Sequence, residues 1–299
     1  MRTLNALTKR NIKLFFKDKG MFFTSLITPA ILLVLYSTFL GKVYHDSFVA
    51  GFKGFELEES LIDGYVGSQI IASILAVSCV TIAFYSNMLM VQDKANRTIK
   101  DLTIAPVKSS ILAMSYYFTS LVSTLIVNFS AAVICLVYVA SVGWYMSVLD
   151  VVYIFIDIVF LVMFGTALSS VINFFLRTQG LISAVGTIVG SGYGFICGAY
   201  IPISQFSEGL KRVISFLPGT YGTALISNHA MRGAYVEMLD QGNPKEVVES
   251  LKDSVDCNIY FFGNKVDIET MYLILGGTII LLVAIYVILN IFKWKKQDD

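Results

Sequence analysis

The hydrophobic and polar positions fall into long blocks rather than a fine alternation. Six blocks are almost wholly apolar: Met21–Leu40, Gly64–Val91, Ile111–Ala140, Leu149–Leu176, Leu181–Ala199 and Met271–Phe292. A helix needs about 20 residues to cross a hydrocarbon layer of about 30 Å, and each block is near or above that length. The second, third and fourth exceed it, so they are expected to tilt or to project beyond the membrane. An unbroken apolar block cannot supply the alternating strands of a barrel, and backbone groups in lipid must be satisfied within their own segment. The pattern predicts an all-α polytopic membrane protein with six transmembrane helices.

Three segments between the blocks have patterns of their own. In residues 1–20, Leu4, Leu7, Ile12, Phe15 and Phe16 interleave with Lys9, Arg10, Lys13 and Lys17. Apolar positions at helical spacing beside cations predict an amphipathic interfacial helix with its charges against anionic lipid; the plainer reading is a basic flank that only sets topology. After the fifth block, Phe206, Leu210, Val213, Ile214 and Leu217 recur at helical spacing. Pro202, Gly209, Pro218 and Gly219, with Glu208, Lys211 and Arg212, make a further crossing unfavourable. Phe206–Leu225 is therefore expected to form short helices at the outer leaflet. In the polar stretch 238–270, Asn243-Pro244-Lys245-Glu246 reads as a capping box with proline at the first helical position, opening a helix through Val255.

Composition strengthens the membrane assignment. Of 299 residues, 56% are hydrophobic and 14% charged, against about 45–50% and 25% in soluble domains. The charges then orient the chain. The N-terminus, the loops after the second and fourth blocks, and the C-terminus hold 14 of the 22 Lys and Arg but five of the 21 Asp and Glu. By the positive-inside rule that side is cytoplasmic, so both termini lie inside a cell membrane, and Phe52 and Cys257 lie outside. The first block is too long for the core of a cleavable signal. Cys79, Cys135 and Cys197 lie in apolar blocks and read as small buried hydrophobes, and none of the four cysteines has metal-ligand spacing. His45 and His229 are both expected outside and incidental, so no metal site is expected.

Two features inside the blocks invite a role. Gly186, Gly190, Gly194 and Gly198 are spaced by four and would share one helical face. Small residues at that spacing let membrane helices approach closely, across a dimer or within one chain; a soft helix that bends is a third reading. Asp157 stands alone as an acid well inside a block, and burying it ionised costs roughly 2.5–3.5 kcal/mol, so it should face protein or a wet cavity. It is a structural hydrogen-bonding group or a contact for substrate or proton. Tyrosines in or near the blocks, such as Tyr85 and Tyr153, suit an interfacial belt.

Two stretches resemble the type 2 ABC transporter permeases, the six-span subunits of many bacterial exporters. The first, within residues 92–110, matches at Asp93, Thr98, Ile99, Leu102 and Pro106; Arg97 stands where the family usually has Gly, and Ala95 where it usually has Glu. The resemblance implies that this is the coupling helix that rests on an ATPase. Ile99 and Leu102 share a face that could enter an apolar groove on that partner, Lys94, Arg97 and Lys100 form a basic edge, and the helix should end before Pro106. The second runs from Gly192-Tyr193-Gly194 through Ile201-Pro202, Phe206 and Leu210 to Leu217-Pro218-Gly219-Thr220-Tyr221. It is similar to the family's pair of short re-entrant outer helices, here residues 199–230, which lid the pathway with Pro202, Phe206, Leu210, Pro218 and Tyr221. Residues 238–270 form an extracellular insertion outside the resemblance.

The chain has no G-x-x-x-x-G-K-[ST] phosphate loop and no polar stretch large enough for an ATPase domain. The resemblance then implies a single permease domain over 1–299 that is not itself an enzyme. ATP and Mg would be held by a separate ABC ATPase subunit in two copies, with a second permease, identical or different, completing the pathway. Lipid is an expected neighbour and nucleic acid is not. The expected cargo is an amphipathic drug, lipid or antimicrobial peptide, or else a lipid-linked polysaccharide. An ion-coupled secondary transporter using Asp157 is the competing class, although no inverted repeat supports it.

Overall fold

In the computed structural model, residues 2–35, 38–39, 41–51, 58–99, 102 and 107–295 are described. Their helices are α1 (Arg2–Lys17), α2 (Lys19–Leu35), α3 (Gly41–Gly51), α4 (Glu59–Ala95), α5 (Ser109–Val142), α6 (Val148–Phe175), α7 (Gln179–Ile196), α8 (Glu208–Ile214), α9 (Pro218–Asp240), α10 (Lys245–Ser254) and α11 (Ile268–Lys295). A 3-10 turn at Ile203–Gln205 precedes α8, and a hairpin of β1 (Ile259–Phe261) and β2 (Asn264–Val266) precedes α11. Among the described residues, α4, α5, α6 and α11 are long and apolar enough to cross a membrane. The first and fifth blocks form α2, of 17 residues, and α7, of 18. The end of the first block, including Leu40, and Phe52 lie outside the described residues.

The chain is built around α4. Its sequence is apolar on all sides, so it has no face to offer to water, and it is buried along nearly its whole length. α2, α5, α6, α7 and α9 all pack on it. Small residues set how closely they come. A Cβ on Gly165 of α6 would lie 2.9 Å from the Val80 Cα and 3.2 Å from the Cys79 carbonyl oxygen, so α6 meets the α4 main chain directly. Hydroxyls and amides hold the helices where the lipid offers no hydrophobic drive. Ser78 donates to Asn128 Oδ1 (2.6 Å), Asn87 donates to the Ser169 and Ser170 hydroxyls (3.0 and 2.7 Å), and Ser120 donates to the Ala83 carbonyl (3.1 Å).

Beyond α7 the structure departs from the expected pair of short helices. α8 is short, with Leu210 exposed, but α9 is a single 23-residue helix that runs through Asp240 and is buried on most of its surface. It lies antiparallel to α6: Gly222 meets Leu161, His229 meets Asp157, and Arg232 meets Asp150. Leu161 is about 20 Å along α6 from Val148, so the start of α9 is deep and its end emerges. Pro218 opens α9 at its first turn, and the buried Tyr221 donates to the Ser215 carbonyl (2.6 Å) across the α8–α9 corner.

Residues 238–270 likewise differ in detail. The helix α10 forms as expected, but Pro244 is its N-cap rather than its first helical residue, and no side-chain cap forms; Asn243 instead donates to the Met238 carbonyl (2.8 Å). A capping box does form at α6, where the Ser147 amide donates to Asp150 (2.8 Å) and the Asp150 amide to Ser147 Oγ (3.2 Å). Phe262 and Gly263 both have positive φ, which makes the two-residue turn between β1 and β2. Cys257 is buried beside Tyr235 rather than open to solvent, and burial pushes its thiol up to about 12.

The close contact of α4 with α6 gives a direct test. Gly165→Val places two methyl groups against the α4 backbone, and the helices must separate. A loss of about 1–3 kcal/mol is expected, read as a lower midpoint of thermal unfolding in detergent. An unchanged midpoint would show that α4 and α6 do not meet at Gly165.

Candidate functional site

Two clusters of buried polar groups join helices that the apolar core alone would leave free to slide. The first is at the basic end of the bundle, where α4 ends. Asp93 is buried, and its Oδ2 accepts from the Tyr116 hydroxyl of α5 (2.6 Å) and from Arg10 Nη1 of α1 (3.3 Å). α1 forms as an amphipathic helix, and its apolar side packs on protein: Phe15 is fully buried, and Leu7 and Leu14 lie against the cluster around Tyr116 and Tyr117. One residue on, Lys94 Nζ donates to the Asn173 and Phe174 carbonyls (3.0 Å each) and lies 5.4 Å from the Phe174 ring centroid. A cation there satisfies carbonyls that α6 leaves open at its C-terminus. The end of α4 is thus tied to α1, α5 and α6 by two adjacent residues.

The chain turns immediately after this anchor. Ala95, Asn96 and Arg97 are exposed, Arg97 has φ +62°, and Thr98, Ile99 and Leu102 are helical. Ile99 and Leu102 are half-buried against the chain's own cluster of Leu89, Met90 and Leu112. The left-handed turn costs an L-residue roughly 1–2 kcal/mol and costs Gly almost nothing. Arg177, in the α6–α7 connection just past the carbonyls that Lys94 holds, is exposed too.

The second cluster is deeper, about 14 Å along α6 from Val148. Asp157 is buried, its Oδ2 lies 2.7 Å from His229 Nδ1 of α9, and its Oδ1 accepts from the Tyr272 hydroxyl of α11. The His229 ring stacks on Tyr153 with centroids 4.8 Å apart. Two helical turns nearer the start of α6, Asp150 accepts from Arg232 Nε of α9. Charge in an apolar interior persists when it is paired and hydrogen-bonded, and here the pairing fixes α9 between α6 and α11.

The family model of the ABC-2 type transporter matches residues 2–228, from α1 into α9. The chain belongs to this family. It is a transmembrane subunit of an ABC-type transporter, and the family works with an ABC ATPase. No curated protein shows significant similarity to the chain. The match ends within α9, so α10, the hairpin and α11 lie outside it.

Several residues of this ABC-2 subunit sit otherwise than the sequence reading expected. Asp93 and Lys94 are committed to contacts inside the chain, so neither presents a free charge at the surface. Ile99 and Leu102 pack, half-buried, against the chain's own core. Pro106, Lys100 and Asp101 lie outside the described residues. His229, expected outside and incidental, is the partner of Asp157. Gly198 does not continue the glycine face: α7 ends at Ile196, and Gly198 follows in the turn with φ +80°. Gly186 packs on Met88 and Tyr85 of α4, and Gly194 lies under the Tyr200 ring, both within the chain. Of the outer residues, Pro202 begins the 3-10 turn and Phe206 packs partly on the core.

The Asp157 cluster predicts an asymmetry between single and double variants. His229→Leu leaves a buried carboxylate short of a partner and should cost about 3–5 kcal/mol in unfolding measurements. Adding Asp157→Leu removes the stranded charge and should recover at least about 2 kcal/mol of that loss. A single variant as stable as the parent, or a double variant worse than the single, would contradict the pairing.

Proposed function

We propose that the chain is the pathway-forming half of an exporter driven by a separate ABC ATPase, with the turn after α4 receiving the ATPase cycle. The observation that carries this reading is the arrangement at the end of α4. An exposed turn, Ala95–Arg97, stands directly on the Asp93 and Lys94 contacts, so a push on it reaches α1, α5 and α6 together. Arg97 and Thr98 face the partner in this proposal, while Asp93, Ile99 and Leu102 hold the segment to the spans. The positive φ of Arg97 accounts for the family's usual Gly: the turn keeps its shape, and this chain adds a cation to it.

Around that turn, the proposal has residues 1–299 as one permease domain crossing six times, through α2, α4, α5, α6, α7 and α11, with both termini cytoplasmic. α8 and α9 form the re-entrant lid, entering and leaving on the outer side; the charges of Arg232 and Glu237 near the end of α9 suit that exit. Two permeases, the same or different, and two ATPase subunits make the transporter, with ATP and Mg on the ATPase. The cargo is an amphipathic drug, lipid or antimicrobial peptide. Asp157 serves structure here: both of its oxygens are engaged by side chains of this chain, which disfavours an exchangeable substrate or ion contact.

Two experiments test these points. Arg97→Glu reverses the exposed charge without touching a buried contact. It should leave membrane insertion and folding intact and reduce ATPase co-purification at least tenfold, whereas Arg97→Gly should fold at least as well as the parent. Normal ATPase capture and export by Arg97→Glu would refute the docking role. For orientation, the four native cysteines are buried, so they give little background. A maleimide that cannot cross membranes should label Asn264→Cys on intact cells and leave Asn96→Cys unlabelled until the cells are opened; the reverse pattern would invert the topology.

A further inference from the structure

At the opposite end of the bundle from the α4 turn, a cavity of about 660 Å³ opens between α3, the start of α4, the elbow before α8, and α10. That volume falls in the range of sites for drug-sized ligands, about 300–1,000 Å³. Four aromatic rings line it: Tyr44 and Phe48 from α3, Tyr65 from α4, and Tyr200 from the elbow. Two of them are fixed by packing, since Phe48 and Tyr65 are buried with ring centroids 4.7 Å apart, and Tyr65 also meets Tyr235 edge-on at 5.7 Å. The elbow is pinned independently: the buried Asp256 carboxylate, pushed up to about 6 by burial, accepts from the Ile203 amide and from the Ser204 amide (3.1 Å). The walls are therefore built before any ligand arrives.

Among the described residues, the charge in the lining has one sign. Glu246, exposed in the first turn of α10, is the one ionisable acid, and no Lys, Arg or His lines the cavity among the described residues. Glu246 makes no ion pair among the described residues. Aromatic faces carry negative potential and attract cations, and an adjacent carboxylate adds to the same field. An anionic headgroup or a phosphate would meet repulsion and find no donor cation among the described lining residues. The rest of the lining, including Val247, Leu251 and Pro202, is apolar and suits a hydrophobic body.

We propose that this cavity is a binding site for amphiphilic cations, with the apolar body among Tyr44, Phe48, Tyr65 and Leu251 and the positive group between the aromatic faces and Glu246. It lies partly on α10, beyond the stretch shared with the family, so it is a property of this chain's outer insertion. The inference does not depend on ATPase coupling, because the permease alone should bind.

The test uses the full chain in phosphatidylcholine nanodiscs without any ATPase, titrating ethidium as the cation and fluorescein as an anionic dye, with fluorescence anisotropy as the readout. Saturable ethidium binding above empty discs is expected, with no saturable fluorescein binding. Glu246→Gln should weaken ethidium about fivefold, and Leu251→Trp should fill the cavity and abolish binding. Should Leu251→Trp fold poorly, Glu246→Gln still decides, because its side chain is exposed. Absence of saturable ethidium binding, equal binding of fluorescein, or ethidium affinity unchanged in Glu246→Gln would overturn the assignment.

Discussion

The structure depends on the burial of α4 along nearly its whole length. A helix that is apolar on every side has no stable place except inside other helices, and the helices packed around α4 meet that demand here. Glycine and serine on the contact faces let backbones approach, and side-chain hydrogen bonds replace the hydrophobic drive that lipid cannot supply. Because α4 is enclosed, its two ends are where its position can be changed from outside. One end carries Asp93 and Lys94 with the exposed turn beyond them. The other carries Tyr65 and Gln69 in the wall of the cavity beside α3 and α10.

The buried charges act as fasteners at set heights along the bundle. Asp93 binds α4 to α1 and α5, Lys94 binds α4 to α6, Asp157 binds α6 to α9 and α11, and Asp150 binds α6 to α9 again nearer its start. Each is costly alone in an apolar interior and tolerable when paired, so the set of partners fixes helix register more sharply than apolar packing does. α9 in particular is held by two side-chain contacts on one face, His229 to Asp157 and Arg232 to Asp150. His229 is the deeper of the two, and Arg232 lies nearer the emerging end of α9.

Much of this was legible in the sequence, and the limits have physical causes. The blocks of apolar residues marked α4, α5, α6 and α11, because length and unbroken hydropathy are local properties. The amphipathic spacing in residues 1–20 marked α1, but spacing cannot say whether lipid or protein covers the apolar side, and Phe15 is buried in protein. A lone Asp157 signalled that a partner was needed. Its identity was not readable, since His229 is 72 positions away and is brought close only by the antiparallel packing of α9 on α6. The Ser147–Asp150 capping box at the start of α6 was missed in the sequence, although its spacing of three is a local signal that could have found it. The segment proposed to couple was marked by resemblance alone, and motif matching does not distinguish a residue that faces a partner from one that braces the loop from within. Asp93, Ile99 and Leu102 make their contacts within the chain.

The central claim is that the turn after α4 and the end of α6 move as one unit because Lys94 holds the Asn173 and Phe174 carbonyls. Spin labels at Ala95→Cys and Arg177→Cys, both exposed positions, allow this to be measured by electron–electron distance spectroscopy in the complex with its ATPase, without nucleotide and with trapped ATP. An account in which the turn drives the bundle predicts an unchanged Ala95–Arg177 distance while the distance between Ala95 positions on the two permeases shifts. A change in Ala95–Arg177 as large as the change between permeases would mean that the turn flexes on its own, and the transmission through Asp93 and Lys94 would be wrong.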